Sequence, residues 1–215
     1  YSPIPNCHLL INDKKKIFLI ADSYKLKKII NDKKVNFKQI IEPKNFEYII
    51  NKQKRGKILI DNKSCSIFYE NLFKKNFEVI KKEDPIYLLK SIKNENEINC
   101  MVDAHISDGA ALTKFLYWIK KINKKKITEV DAEKKLESFR KKNSKYLFPS
   151  FNTIAGTGKN GAIVHYRANK KNTRKINKKD IFLCDSGGQY KYGTTDVTRT
   201  LCFSKPKNNI KDIFT

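Results

Sequence analysis

One stretch constrains this chain more than any other: Asp185-Ser186-Gly187-Gly188-Gln189-Tyr190-Lys191-Tyr192-Gly193-Thr194-Thr195-Asp196-Val197-Thr198-Arg199-Thr200. An apolar run over 181–184 leads into it. The run 194–203 that closes it is rich in Thr, Val, Leu and Phe, residues that suit a pleated strand. Gly187 and Gly188 between the runs predict a tight reversal. The expectation is a hairpin with Asp185 at the end of one strand and Asp196, eleven residues on, inside the next. Paired strands can aim two such carboxylates at one point. Carboxylates that close repel unless a positive charge lies between them, and hard divalent cations take such oxygen ligands. His165, within Gly161-Ala162-Ile163-Val164-His165-Tyr166, is a second candidate. The same residues also suit plain structure, since Asp beside Gly is common turn chemistry and a histidine in a strand is commonly a packed one.

Residues 1–85 read as alternating strands and helices. Short apolar runs at 16–21, 35–42, 57–61 and 77–80 predict strands, and Pro43 ends the second of them. Helical spacing predicts helices at 24–33, 45–54 and 66–75, with Ser23 as N-cap of the first. That order implies an α/β layer with a partly parallel sheet. His8 reads as structural. There is no glycine-rich nucleotide fingerprint. Asp84-Pro85 begins a connector. A long helix over 95–123 follows, with Ile98, Val102, Ile106, Leu112, Phe115, Leu116 and Ile119 on one broad apolar face. His105 beside that face reads as packed, Met101 and Trp118 as core, and Gly109, Ala110 and Ala111 as room for a close neighbour. Lys124 to Lys126 ends the helix. Thr128-Glu129-Val130-Asp131 resembles a capping box with Asp in place of Glu and opens a helix to about 142 that buries Leu136 and Phe139. The pattern then changes to strands at 148–155, 162–167, 181–185, 189–192 and 195–203. Two helices followed by an antiparallel sheet is an α+β architecture.

Composition excludes several classes. No run of eighteen apolar residues exists, so no transmembrane helix is expected. The five cysteines lack a Cys-x-x-Cys pair, which argues against a disulfide framework or a zinc site and fits a reducing, cytoplasmic compartment. The chain carries 46 Lys and Arg against 22 Asp and Glu, a formal charge of +24. Such a charge is often an electrostatic footprint for nucleic acid. Here the lysines are spread along the whole chain, with no aromatic-interleaved patch, so they read as a solvated face.

The stretch 185–200 resembles the signature of the Xaa-Pro aminopeptidases (aminopeptidase P), a group of dinuclear-metal peptidases with the pita-bread fold shared by prolidase, creatinase and methionine aminopeptidase. Phe151-Asn152-Thr153-Ile154-Ala155-Gly156-Thr157-Gly158 through Gly161-Ala162-Ile163-Val164-His165-Tyr166 is similar as well, and weaker similarity reaches back to the start. The resemblance implies a truncated α/β creatinase-type domain over 1–85 and the first half of an α+β pita-bread catalytic domain over 86–215. It implies that Asp185 grips one of two divalent ions, usually manganese, that Asp196 bridges both, and that His165 contacts substrate. The substrates would be proline-containing peptides, the product the released N-terminal residue, and the enzyme a cytoplasmic homodimer without nucleic-acid or membrane partners. The family's other metal ligands, a histidine and two glutamates, would lie downstream of Thr215. The Tyr-Ser-Pro-Ile-Pro start, without Met or an apolar leader segment, fits a piece of a longer chain, inactive by itself. A non-catalytic peptide- or protein-binding module of the same fold, and a prolidase-like dipeptidase, are the alternatives.

If the lysines are a solvated face, binding to duplex DNA will be non-specific and lost by physiological salt, because it rests only on displaced counterions. A salt titration of DNA binding checks this; sequence-specific retention at physiological salt would contradict it.

Overall fold

The computed structural model describes residues 6–53, 55–122 and 126–214, and it divides into two compact units, residues 2–92 and 93–215. Among the described residues no helix is long and apolar enough to cross a membrane.

In the first unit β1 (His8–Ile11) pairs antiparallel with β2 (Ile17–Ile20), and β2 pairs parallel with the short β3 (Ile40–Ile41). A second parallel pair joins β4 (Gly56–Ile60) to β5 (Phe77–Lys81). Helices α1 (Ser23–Asn31), α2 (Pro43–Asn51) and α3 (Ile67–Lys74) connect them, so each parallel pair has its crossover. The core gathers Ile20, Ile41, Phe46, Ile50, Ile60, Leu72 and Phe73. Phe46 meets Phe73 edge to face at 6.1 Å, a geometry that adds to the area buried.

Several local expectations for this unit are corrected. Strand β1 carries no strong pattern and was not foreseen. The expected strand 35–42 is mostly a 3-10 turn (Phe37–Gln39), capped by Asn36, with only β3 extended. Pro43 does not merely end that run; it opens α2, where its missing N–H costs nothing. Ser23 lies inside α1, and Asp22 occupies the cap position without a side-chain bond. Asp84-Pro85 starts a helix, α4 (Pro85–Ser91), in which the Asp84 carboxylate accepts from the Ile86 N–H at 2.9 Å.

The second unit begins with α5 (Glu95–Lys121), whose Asn94–Glu97 capping box fixes its start. Residues 123–125, where the basic end of this helix was expected, lie outside the described residues. Helix α6 (Glu129–Arg140) has the expected Thr128–Asp131 capping box, with the Asp131 carboxylate accepting from the Thr128 N–H at 2.9 Å. Five strands follow: β6 (Tyr146–Pro149), β7 (Ile154–Thr157), β8 (Ile181–Ser186), β9 (Gly188–Tyr190) and β10 (Val197–Cys202). A short helix, α7 (Asn208–Phe214), follows β10. The main sheet has the order β10-β8-β7, antiparallel throughout, and β6 pairs with β9 separately. The single strand expected at 148–155 is therefore two, in different sheets.

The helices cover one face of the β10-β8-β7 sheet. Leu112, Phe115 and Ile119 of α5 and Ala132 and Leu136 of α6 pack with Ala155, Phe182 and Cys184 from the strands. Residues four and seven apart on a helix share a face, which aligns Ala104, Asp108, Ala111 and Phe115 inward. The foreseen apolar face of α5 holds only in its second half. Ile98, Val102 and Ile106 are exposed, Ile106 by 67%. His105 is exposed too, not packed, with Nδ1 2.8 Å from the Met101 carbonyl oxygen. Gly109 has open space around it, and the close approach is at Ala104 instead.

All five cysteines are free. Cys184 is fully buried in the core, and burial pushes its thiol up to about 12. Cys202 is exposed at the end of β10. The thiolate is the reactive form, so a thiol reagent at neutral pH will label Cys202 promptly and leave Cys184 untouched until the protein unfolds. Peptide mapping after timed alkylation reads this directly; early labelling of Cys184 would contradict the packing.

Candidate metal centre

Side chains of a strand alternate between faces. On β8, Phe182, Cys184 and Ser186 are buried against the helices, while Ile181, Leu183 and Asp185 point to the other face. Asp185 thus leaves the core by register alone. It sits opposite Thr198 on β10 and Ile154 on β7, and the Thr198 hydroxyl donates to its Oδ1 at 2.7 Å. Asp196 is not inside the strand as expected but immediately precedes β10; Thr195 is buried and Val197 half-buried while Asp196 and Thr198 are exposed, so the alternation of β10, extended by one residue, puts Asp196 on the side of Asp185.

The connection between them is not the simple hairpin expected. The chain does not reverse at Gly187 and Gly188; it runs on as β9, pairs with β6, turns at 190–193 and returns to β10. Gly187 is needed for a different reason. A Cβ there would lie 1.9 Å from the Thr195 carbonyl oxygen and 2.2 Å from the Ser150 hydroxyl, so the returning chain crosses where only glycine fits. At Gly193 a Cβ would stand 2.7 Å from that of Ala104, which seats the turn on α5.

His165 is not in a strand. Residues 158–162 form a 3-10 turn, and His165 follows in a further turn with φ of 55°, exposed to solvent. The apolar Ala-Ile-Val run before it is not buried: Ile163 and Val164 are exposed by 52% and 82%. No hydrogen bond or ion pair among the described residues joins His165 to either aspartate, and these residues contain no group of three His, Cys, Asp or Glu side chains able to hold a metal ion. The structure therefore brings Asp185 and Asp196 to one sheet face and leaves His165 on a separate turn. As a donor set, two aspartates beside a threonine hydroxyl suit a hard divalent cation rather than a soft one. They supply part of a coordination sphere.

Behind Asp185 stands a cluster that sequence reasoning missed. Asp108 of α5 and Arg140 of α6 form a fully buried two-pronged bridge, Nε to Oδ1 at 2.7 Å and Nη2 to Oδ2 at 3.0 Å. Arg140 Nη2 also donates to the Ser186 hydroxyl at 3.1 Å, and the Tyr190 hydroxyl donates to Asp108 Oδ1 at 3.0 Å. Burial disfavours the guanidinium charge, but the Asp108 bond and charge outweigh it and hold the Arg140 pKa above its usual value. Burial, and then the neighbouring Asp108 charge, raise the Tyr190 phenol. The available signal was Asp108 itself, an aspartate on the same helical stripe as Ala104, Ala111 and Phe115. Glu129 figured only as a member of the capping-box stretch and Arg140 not at all, yet both are buried.

Residues 99–215 match metallopeptidase family M24, and residues 1–97 match the creatinase/prolidase N-terminal domain. The Xaa-Pro aminopeptidase ApepP of Drosophila melanogaster is 46% identical over 138 residues, 63% of this chain and 22% of that protein. Xaa-Pro aminopeptidase 1 of Dictyostelium discoideum is 42% identical over 176 residues, 79% of this chain and 28% of its own length. The chain thus spans between a fifth and a third of these relatives. Among solved structures, the X-prolyl aminopeptidase of Caenorhabditis elegans, a cytosolic enzyme with a di-nuclear active site, superposes with a TM-score of 0.78 at 25% identity, over 97% of this chain and 35% of that one. The prolidase of Pyrococcus furiosus superposes at 0.74 and 24%, over 100% of this chain and 60% of its own. Both units thus have the fold of these enzymes, a creatinase-type domain followed by pita-bread structure.

Removing one partner of the Asp108–Arg140 bridge leaves the other charged, buried and unpaired. Asp108→Ala should cost about 3–5 kcal/mol. Replacing both by apolar residues of similar volume should cost clearly less than the two single losses combined. Urea denaturation of the single and double variants measures this; an Asp108→Ala loss below about 1 kcal/mol would show that the bridge does not hold the unit together.

Proposed function

The chain belongs to metallopeptidase family M24, and from that premise we propose that it is part of a metal-dependent aminopeptidase that releases the N-terminal residue from peptides with proline second. The observation that carries the reading is Asp185 on the open face of β8, fixed by Thr198, with Asp196 exposed on the same side. The named Xaa-Pro aminopeptidases among its relatives support the substrate class. We assign residues 1–85 to the later part of a creatinase-like α/β domain and 86–215 to the first half of the pita-bread domain. A cytoplasmic location and a homodimer belong to the same proposal, as does the absence of nucleic-acid and membrane partners.

Asp185 and Asp196 would hold two divalent cations, manganese being the proposed metal. Such cations, when bound, polarise a peptide carbonyl and make a water acidic enough to attack at neutral pH. What this chain's own residues do is more specific. Thr198 occupies one lone pair of Asp185 Oδ1 and so turns the carboxylate about its own strand. Thr198 and Asp196 are exposed beside the half-buried Asp185, which leaves room for a peptide to approach there. His165 would donate to or accept from the substrate as its amide changes. Proline lacks an N–H and fixes φ, so a general aminopeptidase that binds that N–H cannot use it, and a dedicated pocket is required. The prolidase-like alternative differs in accepting dipeptides only.

The roles separate in the complete protein. Asp196→Ala should lose metal and activity together, without recovery on added manganese. Asp185→Ala should lose activity while keeping part of the metal. His165→Ala should keep near-normal metal and lose about 2–4 kcal/mol of transition-state stabilisation, if it acts as one donor of the oxyanion type. Elemental analysis beside kcat/KM on Xaa-Pro-Xaa tripeptides and Xaa-Pro dipeptides decides. A fully active Asp196→Ala, an emptied site in His165→Ala, or cleavage of dipeptides alone would each overturn its part of the assignment.

A further inference from the structure

Glu129, the first residue of α6, is completely buried. Among the described residues it forms no ion pair. Its charge is met instead by neutral donors. Oε1 accepts from the Thr157 N–H at 2.8 Å and from Asn160 Nδ2 at 3.1 Å. Oε2 accepts from Asn160 Nδ2 at 3.1 Å, the Tyr166 hydroxyl at 2.8 Å and the Arg174 N–H at 2.9 Å. A carboxylate without a cation is tolerable in a dry place only when its lone pairs are filled this fully and a helix N-terminus adds positive dipole.

All these donors lie in one segment, from the end of β7 to residue 174, and His165 is inside it. The Glu129 N–H also donates to the Arg174 carbonyl at 3.1 Å, and the Ile176 N–H to the Ile127 carbonyl at 3.0 Å, so the far end of the segment is tied to the start of α6 as well. The near end is tied through Thr157 and Asn160. Tyr166, the neighbour of His165, is tied by its side chain, and its N–H closes the turn onto the Ile163 carbonyl at 3.1 Å. Burial first, and the Glu129 bond after it, push the Tyr166 phenol up to about 12, so it remains a donor through the neutral range.

Between those anchors His165 has φ of 55°. A left-handed backbone is strained for a residue with a Cβ, and it persists where the surroundings dictate it. A purely structural turn could take Gly here without that strain. The turn instead carries an exposed imidazole.

We propose that Glu129 is a positioning residue: it clamps the 157–174 segment so that the turn holds His165 in its left-handed conformation and presents the imidazole outward to a bound peptide. The clamp stands on the hydrogen bonds alone; that it serves substrate rests on the aminopeptidase reading.

The test uses the complete protein with Glu129→Gln, His165→Ala and the double variant. Amide hydrogen exchange over 157–174 should rise in Glu129→Gln while the β8 strand stays protected. Metal content should not change. The kcat/KM on an Xaa-Pro peptide should fall about 10–100-fold, as for a displaced contact group, and chiefly in kcat. In the His165→Ala background the same Glu129→Gln change should cost nothing further, because two residues acting through one contact are not additive. An equal loss in both backgrounds would make Glu129 merely structural, and unchanged exchange over 157–174 would remove the clamp. A wild-type protein inert on Xaa-Pro peptides would defeat the function and not the clamp, which the exchange data then decide. Should Glu129→Gln fail to fold, Tyr166→Phe deletes the single donor beside His165 and is read in the same way.

Discussion

The second unit depends on one buried ion pair. Asp108 and Arg140 come from different helices, and their bridge reaches a third element through the Ser186 hydroxyl and a fourth through the Tyr190 hydroxyl. Ser186 is the residue after Asp185. A lateral or twisting shift of β8 that would misplace Asp185 must therefore also break hydrogen bonds to a buried charge. Apolar packing of Phe182 and Cys184 against α5 and α6 resists separation of the layers, but it tolerates small sliding at little cost, since volume-conserving rearrangements of a core are cheap. Directional bonds to a desolvated guanidinium are not so forgiving. One nitrogen, Nη1 of Arg140, is buried without a partner, a cost the arrangement carries.

A second buried charge, Glu129, works by different chemistry. Where Asp108 is neutralised by a cation, Glu129 is solvated by amides and hydroxyls from a single irregular segment. The first arrangement ties regular elements to each other. The second gives shape to residues 158–180, whose regular structure among the described residues is a short 3-10 turn at 158–162 and a single bridge between Lys175 and Thr128. The first clamp adjoins Asp185 through Ser186, and the second adjoins His165 through Tyr166.

Much of this was legible in the sequence, and the failures have physical causes. The helices α5 and α6 and the strands β8 and β10 are long or strongly patterned, and tertiary packing had no reason to override them. Asp185 and Asp196 could be singled out by the resemblance of their stretch to a known signature; by pattern alone they suited a plain turn as well. His165 was expected in a strand and is not in one: Ala-Ile-Val is β-prone, yet the run stays exposed and the preceding 3-10 turn takes up the chain instead. The reversal was put at Gly187 because glycine usually serves conformational freedom, whereas here it serves a backbone crossing. Ile98, Val102 and Ile106 match helical periodicity and are nevertheless exposed; periodicity identifies an apolar face without saying what covers it. Buried charges are the least legible, because nothing in the identity of Asp108, Glu129 or Arg140 separates them from the many solvated charges around them. The lysines illustrate the contrast. Lys135 is half-buried, with Nζ over the rings of Trp118 at 5.6 Å and Phe139 at 5.1 Å, so among the described residues its charge is met by aromatic faces rather than by a carboxylate.

The two aspartates are held with unequal firmness, and the sheet order says why. In β10-β8-β7 the central strand is β8, so Asp185 has a paired neighbour on each side, Thr198 and Ile154. Its backbone cannot move without disturbing two ladders, and Thr198 fixes the carboxylate as well. Asp196 immediately precedes β10, which lies at the end of this sheet, and its neighbour Thr195 is fastened instead by an N–H bond to the Gly188 carbonyl at 2.9 Å and a bond from the Gly188 N–H to its hydroxyl at 2.9 Å. In the proposed metal site, such a pair would offer one carboxylate whose position is set by two ladders before any cation arrives and one with room to adjust to it. A ligand that grips a single ion can be rigid, because only one distance has to be right. Under the proposed roles, a ligand that bridges two ions must satisfy both at once, and a residue that precedes its strand, outside the ladder, can make that adjustment without deforming the pairing that holds Asp185.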